Sequence, residues 1–312
     1  MGEGNPAINY QDNNSPQKLT FNPMIAYQSL TLPDRRKLSF IEYGKKDGYP
    51  VMYFHGTPSS CLEPLMIGAE AFMKHNIRVI SPSRPGMGRS DVHKNRTFLT
   101  WTQDTLALAD HLKLDKFAIL GYSGGAPYTL ACALKIPERL TSAVIVSGAG
   151  QMNQPEVKNN LDLKHRIFWN VADKFPALLP LILKRMKKYR EMSDDDIMAR
   201  AEKNMPKADF EIFKQNDRLA LSKKGIEETF RDMNGVSMDV RLPIRPLGFN
   251  LGDINFPITF FHGKEDNTVP IEVVEWMVPR IPKAKLVTFP YDGHLSVLCG
   301  HFDKIAKALL KK

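Results

Sequence analysis

The stretch FAILGYSGGAPYTLA at residues 117–131 decides how the rest of the chain is read. Phe117 to Leu120 is a short, continuous apolar run, the pattern of a strand buried on both faces of a sheet, and Gly125 to Leu134 has helical spacing. Between them, Gly121-Tyr122-Ser123-Gly124-Gly125 is a G-x-S-x-G turn that joins strand directly to helix. A turn this sharp forces Ser123 into an unfavourable backbone conformation and presents its hydroxyl. Side chains at Gly121 and Gly125 would collide with the adjoining strand and helix. The competing reading, in which Ser123 only caps the following helix, is settled by the other strand ends.

Working outward, the same alternation recurs. Upstream lie two strand-like runs, Ala26 to Leu32 and Lys37 to Tyr43, separated by Pro33-Asp34 and reading as a hairpin. Then come a strand at Val51 to Phe54, helical spacing from Leu62 to Lys74, a strand at Arg78 to Ser81 and a helix at Thr100 to Leu112. Downstream of the quoted stretch, Ala143 to Ser147 is a further strand. The alternation stops between about Met152 and Asn250, where Met, Phe, Lys and Glu fall at helical spacing and β-branched runs are scarce. It resumes with strand Ile258 to Phe261, a helix at Ile271 to Val278, strand Lys285 to Phe289 and a helix from Phe302 to Leu310. This is the pattern of a doubly wound α/β protein with a helical insertion.

Ligands of an open parallel sheet sit beyond the carboxyl ends of its strands. Strand Ile258 to Phe261 runs into His262-Gly263-Lys264-Glu265-Asp266, and strand Lys285 to Phe289 is followed by Tyr291-Asp292-Gly293-His294. Serine, acid and histidine therefore occur in the chain order of a hydrolytic triad. A serine hydroxyl is too weakly acidic to attack a carbonyl at neutral pH. His294 would take its proton, and Asp266 would fix the imidazole tautomer and stabilise the imidazolium. Glu265 is expected to point elsewhere, and the loop after strand Ala143 to Ser147 offers no carboxylate. Strand Val51 to Phe54 leads to His55-Gly56-Thr57-Pro58, where the N–H of Thr57 can converge with that of Gly124 to hold an oxyanion. His55 reads as a structural residue that bonds neighbouring loops rather than as a second base.

With these motifs the chain resembles the α/β-hydrolase superfamily over about residues 25–312. Arg84-Pro85-Gly86-Met87-Gly88-Arg89-Ser90-Asp91 is similar to the R-x-G-x-G-x-S loop of that superfamily, where it forms a structural turn beside the pocket. The resemblance implies an α/β fold with a mostly parallel eight-stranded sheet, helices on both faces and an inserted helical cap. Residues 1–24 then form a flexible tail, 25–151 with 251–312 the core, and 152–250 the cap, a lid over the nucleophile. Ser123 stands where epoxide hydrolases and haloalkane dehalogenases of this fold have Asp. His-Gly-Thr-Pro also departs from the Gly-rich lipase loop and from the His-Gly-Gly-Pro-Gly of proline iminopeptidases.

Composition bounds the remaining choices. With 312 residues, 43% hydrophobic and 25% charged, the chain can bury a core without staples. Cys61, Cys132 and Cys299 have no paired spacing, which argues against a disulfide framework and a zinc site and favours a reducing, cytoplasmic setting. No apolar run is long enough for a membrane span, and the N-terminus does not read as a secretory signal. The net charge of +9 is spread along the chain. Its densest run, Lys184 to Arg190, reads as a solvated helix face, so no nucleic-acid partner is expected. Phe168, Trp169 and Met186 of the insertion are expected to line an apolar substrate pocket. The expected function is a serine hydrolase acting on small to medium apolar carboxylic esters, with no metal and no cofactor. Its alternatives on the same triad are a carbon-carbon bond hydrolase, a cofactor-free peroxidase and a lyase. From a different class comes a non-catalytic ligand receptor on the same scaffold.

Overall fold

The computed structural model describes residues 26–311 except 153, 160, 162 and 216; the expected flexible tail at 1–24 lies outside the described residues. The strands are β1 (Gln28–Thr31), β2 (Lys37–Gly44), β3 (Tyr49–Phe54), β4 (Ile77–Pro82), β5 (Phe117–Tyr122), β6 (Leu140–Val146), β7 (Ile258–Gly263) and β8 (Ala284–Phe289). They form one sheet in the order β1-β2-β4-β3-β5-β6-β7-β8, antiparallel for β1 with β2 and β2 with β4, and parallel elsewhere. The chain passes from β3 outward to β4 and then returns to the other side of β3 for β5. The carboxyl ends of β3 and β5 thus flank the point where the winding reverses, the place where such sheets open a crevice.

The two-residue side-chain period divides the central strands between two apolar layers. Val51, Tyr53, Ala118, Leu120 and Val144 join one layer with Phe72 and Phe302. Met52, Phe54, Ile119, Ile145 and Phe260 join the other with Trp101 and Leu130. Helices α1 (Ala69–Lys74) and, at the far end of the chain, Phe302–Leu309 cover the first face; α2 (Trp101–His111) and α3 (Ala126–Lys135) cover the second. The helix expected over Leu62 to Lys74 is instead a 3-10 turn at Glu63–Met66 followed by α1, because Gly68, at φ +98°, breaks the helical backbone between them.

Between β6 and β7 the described chain forms only helices and loops: α4 (Pro155–Lys158), α5 (Leu163–Lys174), α6 (Leu179–Lys187), α7 (Asp194–Asn204), α8 (Lys207–Phe213), α9 (Arg218–Thr229) and α10 (Met233–Arg241), with short 3-10 turns. Local chemistry starts two of them. The Ser193 side chain accepts from the Asp196 N–H ahead of an acidic first turn in α7, and Asp232 accepts from Asn234 and Gly235 at α10. Leu179 and Leu183 of α6 and Val236 and Val240 of α10 are continuous with the core of the sheet. Ile197, Ala201 and Phe213 form a separate cluster with Leu295. After β7 come α11 (Glu272–Met277), α12 (His294–Gly300) and α13 (Phe302–Leu309). Among the described residues no helix is long and apolar enough to cross a membrane.

Candidate active site

Ser123 sits at the carboxyl end of β5 with φ +50°, the left-handed region that non-glycine residues rarely adopt. The backbone tolerates this because the turn is clamped on both sides. A Cβ at Gly121 would run into Thr129, and one at Gly125 into the Phe54 carbonyl, so strand, turn and helix touch at van der Waals distance only without those side chains. The Ser123 carbonyl also accepts from the Ala149 N–H at 2.9 Å.

Asp266 and His294, 28 residues apart in sequence, meet at the ends of β7 and β8. Asp266 Oδ1 accepts from the N–H groups of Thr268 (2.9 Å) and Val269 (2.8 Å), which orients the carboxylate, and Oδ2 accepts from His294 Nδ1 at 2.7 Å. This bond assigns the proton to Nδ1 and leaves Nε2 able to take one. Burial pushes the Asp266 carboxyl up, but the facing imidazole, its hydrogen bond and the Val269 N–H outweigh burial and hold it below the ordinary carboxylate range. Burial pushes His294 down, yet the Asp266 charge and hydrogen bond, with help from Asp209 and Glu63, raise it above the usual histidine value. His262 is kept neutral by burial, and its Nε2 donates to the Val269 carbonyl at 2.8 Å.

His294 is the first residue of α12, a helix the sequence reading did not foresee, although Gly293-x-x-Ser296 is its signal. The Gly293 N–H donates to Ser296 Oγ at 2.8 Å. Asp209 of α8 completes the mount by accepting from the N–H groups of His294 (2.8 Å) and Ser296 (2.7 Å). The His294 carbonyl accepts from Ser147 Oγ (3.0 Å) and Tyr122 Oη (3.3 Å), and the Tyr122 ring lies 4.9 Å from the imidazole. Tyr122 precedes Ser123, so the imidazole stands beside the serine turn. Among the described residues Ser123 Oγ makes no hydrogen bond to His294; such contacts are often long without substrate and tighten when it binds.

The loop after β3 lies on the other side of Ser123. A Cβ at Gly56 would come within 3.2 Å of Ser123 Cβ, and one at Gly124 within 2.9 Å of the Thr57 nitrogen, so Thr57 and Gly124 are adjacent across the serine. The Thr57–Pro58 peptide is cis. Glu63 holds the loop from below: its Oε2 accepts from the Gly56 N–H (2.7 Å) and Tyr53 Oη (3.1 Å). Burial pushes this carboxyl up despite those bonds. His55 is buried, its Nδ1 donating to the Gly56 carbonyl (2.9 Å) and its Nε2 accepting from the Arg84 N–H (3.2 Å). Burial and the Arg84 charge push it well below the usual histidine value, so the neutral ring ties two loops together.

Above this loop is a buried charge cluster that the sequence reading missed. Arg84 Nη2 donates to the Gly56 carbonyl (2.7 Å), Thr57 Oγ1 (2.8 Å) and Asp239 Oδ2 (2.8 Å), while Nη1 donates to the His55 carbonyl. Thr57 Oγ1 donates to Asp239 Oδ2 at 2.7 Å, and Arg96 and Tyr128 donate to Oδ1. Burial pushes Asp239 up, but Arg84 and Arg96 overwhelm it and depress its carboxyl far below the usual range. Arg84 belongs to the loop that the resemblance identifies as a structural turn. Asp239, on α10, offers no sequence signal, because nothing in a run of helical residues says which carboxylate reaches 182 positions back to Thr57.

A cavity of about 230 Å³ opens beside His294, walled by Tyr122, Glu63, Asp209, Met66, Met205 and Phe213. Phe168, Trp169 and Met186, expected at the pocket, do not line it. Phe168 and Trp169 pack edge to face at 5.0 Å against the core, and Met186 is exposed. The helical period of α5 turns its aromatics inward, and the apolar walls come instead from Met66 in the turn at Glu63, Met205 just after α7, Phe213 of α8, and Leu295 and Leu298 of α12. Among the described residues no cluster of three or more His, Cys, Asp or Glu could hold a metal ion.

A family model described as "alpha/beta hydrolase fold" matches residues 49–300. A 2-hydroxymuconate semialdehyde hydrolase of Pseudomonas putida is 24% identical over 95% of this chain and 93% of its own. A non-heme chloroperoxidase of Streptomyces lividans is 32% identical over 38% of this chain. With that protein, an uncharacterized hydrolase of Bacillus subtilis and a proline iminopeptidase of Arabidopsis thaliana, the match spans only 44%, 34% and 35% of the relative's length. Among solved structures, an esterase from Exiguobacterium antarcticum superposes with TM-score 0.64 at 18% identity, covering 91% of this chain and 98% of that one, which bears on the fold alone. The sheet order, the left-handed serine at the end of β5 and the match over residues 49–300 lead to one assignment: the chain belongs to the α/β-hydrolase fold family.

Proposed function

We propose that this chain is a cofactor-free serine hydrolase of carboxylic esters with small to medium apolar groups. The 2.7 Å bond between Asp266 and His294 beside the strained Ser123 carries this reading. Ser123 Oγ attacks the ester carbonyl while His294 Nε2 takes its proton, and Asp266 stabilises the imidazolium that forms. The N–H groups of Thr57 and Gly124 hold the tetrahedral oxyanion, a contribution of about 3 kcal/mol per donor. Collapse expels the alcohol, which leaves with the proton from His294. Water then attacks the acyl-enzyme, giving its proton to His294, and the acid departs from a regenerated Ser123. The helical insertion acts as a cap that excludes water and strengthens these contacts.

A p-nitrophenyl ester series of increasing acyl length tests the reading. Turnover is expected to peak at short chains and to disappear, with fluorophosphonate labelling, in Ser123→Ala. Absence of labelling in the wild-type protein would instead favour a ligand receptor. A second reading, carbon-carbon bond hydrolysis by the same residues, draws support from the near full-length match to the 2-hydroxymuconate semialdehyde hydrolase. Its signature is labelling of Ser123 without ester turnover, together with product formation from a vinylogous diketone.

A further inference from the structure

Helices α5 and α6 carry an unusual surface. Six of the nine large hydrophobic side chains exposed among the described residues fall between 163 and 186: Leu163, Ile167, Phe175, Leu178, Leu181 and Met186. Leu163 (65%) and Ile167 (54%) stand one turn apart on α5, and Phe175 (59%) is the first residue past its end. The opposite side of α5 buries Ala172. On α6, Leu179 and Leu183 face α10 and the core, so Leu181 (66%), midway between them, projects away. The strip is thus apolar where packing does not require it.

The flanking charge is one-sided. Between 163 and 191 there are eight Lys or Arg against Asp173 and Glu191, which places +6 of the chain's +9 on 29 residues. Lys164, Arg166, Lys174, Lys184, Arg185 and Lys188 are all exposed. A solvated helix face, as the run Lys184 to Arg190 reads by itself, would not interleave these cations with bare Leu, Ile and Phe. A surface for nucleic acid would also not place aliphatic groups at its centre. Apolar side chains flanked by Lys and Arg match one partner in both respects, a bilayer whose headgroups are anionic and whose acyl region begins a few ångströms below them.

We infer that the α5–α6 surface docks the protein on anionic lipid membranes, the cations pairing with headgroup phosphates and the apolar strip entering the headgroup boundary. No helix among the described residues spans the bilayer in this arrangement, and docking does not use Ser123. It is therefore tested on the Ser123→Ala protein, so failure of the docking and failure of the ester reading are separable.

Sedimentation with sucrose-loaded vesicles of phosphatidylcholine alone, or with 30 mol % phosphatidylglycerol (about a third anionic), measures it. Binding is expected only to the anionic vesicles and should weaken sharply with added salt. Replacing Lys184, Arg185 and Lys188 by Gln should lower the partition constant by about 100-fold, at roughly fivefold per cation. Ile167→Ser with Leu181→Ser should lower it at unchanged charge and with only a small change in melting temperature, because both side chains are more than half exposed. Equal binding to both vesicle types, or none, overturns the proposal. So does a stable dimer in solution that Leu181→Ser dissociates, which would make the strip an interface between copies of the chain.

Discussion

Replacing Asp239 by Asn tests the least expected feature of the fold. The carboxylate is fully buried, with Arg84 Nε at 3.0 Å and Nη2 at 2.8 Å, Thr57 Oγ1 at 2.7 Å and Tyr128 Oη at 3.1 Å, and with Arg96 on the same oxygen as Tyr128. Asparagine keeps the shape but removes the charge and turns one acceptor into a donor aimed at guanidinium groups. Two buried cations, Arg84 and Arg96, would be left facing each other. Breaking a buried pair costs about 3–5 kcal/mol, and two stranded cations place this site toward the upper end. Against a total stability of roughly 5–15 kcal/mol, that is a large fraction. Urea unfolding at pH 7 should report a loss of at least about 3 kcal/mol, and adding Arg96→Met should recover part of it, a coupling above about 1 kcal/mol. The pH dependence has a fixed sign. Because the folded-state pKa of Asp239 is depressed, its contribution is present above the ordinary carboxylate value near ~4 and is lost as pH falls toward the folded value. The gap between wild type and variant should therefore shrink in acid. A variant within about 1 kcal/mol of wild type at pH 7, or a gap that stays constant down to pH 3, would refute the reasoning.

Two further outcomes concern the proposed chemistry. Gly124→Ala sets a Cβ against Thr57, 2.7 Å from its Cβ and 2.9 Å from its nitrogen. Parting the two oxyanion donors should lower kcat by about 10²–10³ with little change in KM; steady-state ester kinetics would read this, and a loss confined to KM would count against the oxyanion assignment. In the pH profile, kcat/KM should rise with pH through a midpoint above the usual histidine value near ~6.5, since Asp266 raises His294. Asp266→Asn should move that midpoint down as well as reduce the rate, and an unshifted midpoint would detach His294 from Asp266.

Much of the scaffold was legible because strands buried on both faces leave continuous apolar runs and tight turns leave glycines. Ile119 and Leu120 point into opposite layers, yet both must be apolar, so the run is visible without knowing which layer each enters. Ser123 was legible for a related reason. Its positive φ demands Gly121 and Gly125 on either side, and that requirement is written within five residues. Asp266 and His294 were legible by position after their strands. The interruption of the helix before α1 is carried by Gly68 alone, a single residue within a run whose apolar spacing is helical throughout.

The sequence by itself determined the order of the strands, the turn at Ser123 and the identity of the residues at the strand ends, since each of these is imposed by neighbours a few positions away. Tertiary structure alone decided which distant carboxylates serve the site. Asp209 reaches the N–H groups that begin α12, and Asp239 reaches Thr57 and Arg84. It also decided that Phe168 and Trp169 turn into the core while Leu181 faces water. In a helix of mixed polarity the period shows that a face exists. Which face is covered depends on what packs against it, and that is settled only when the whole chain closes on itself.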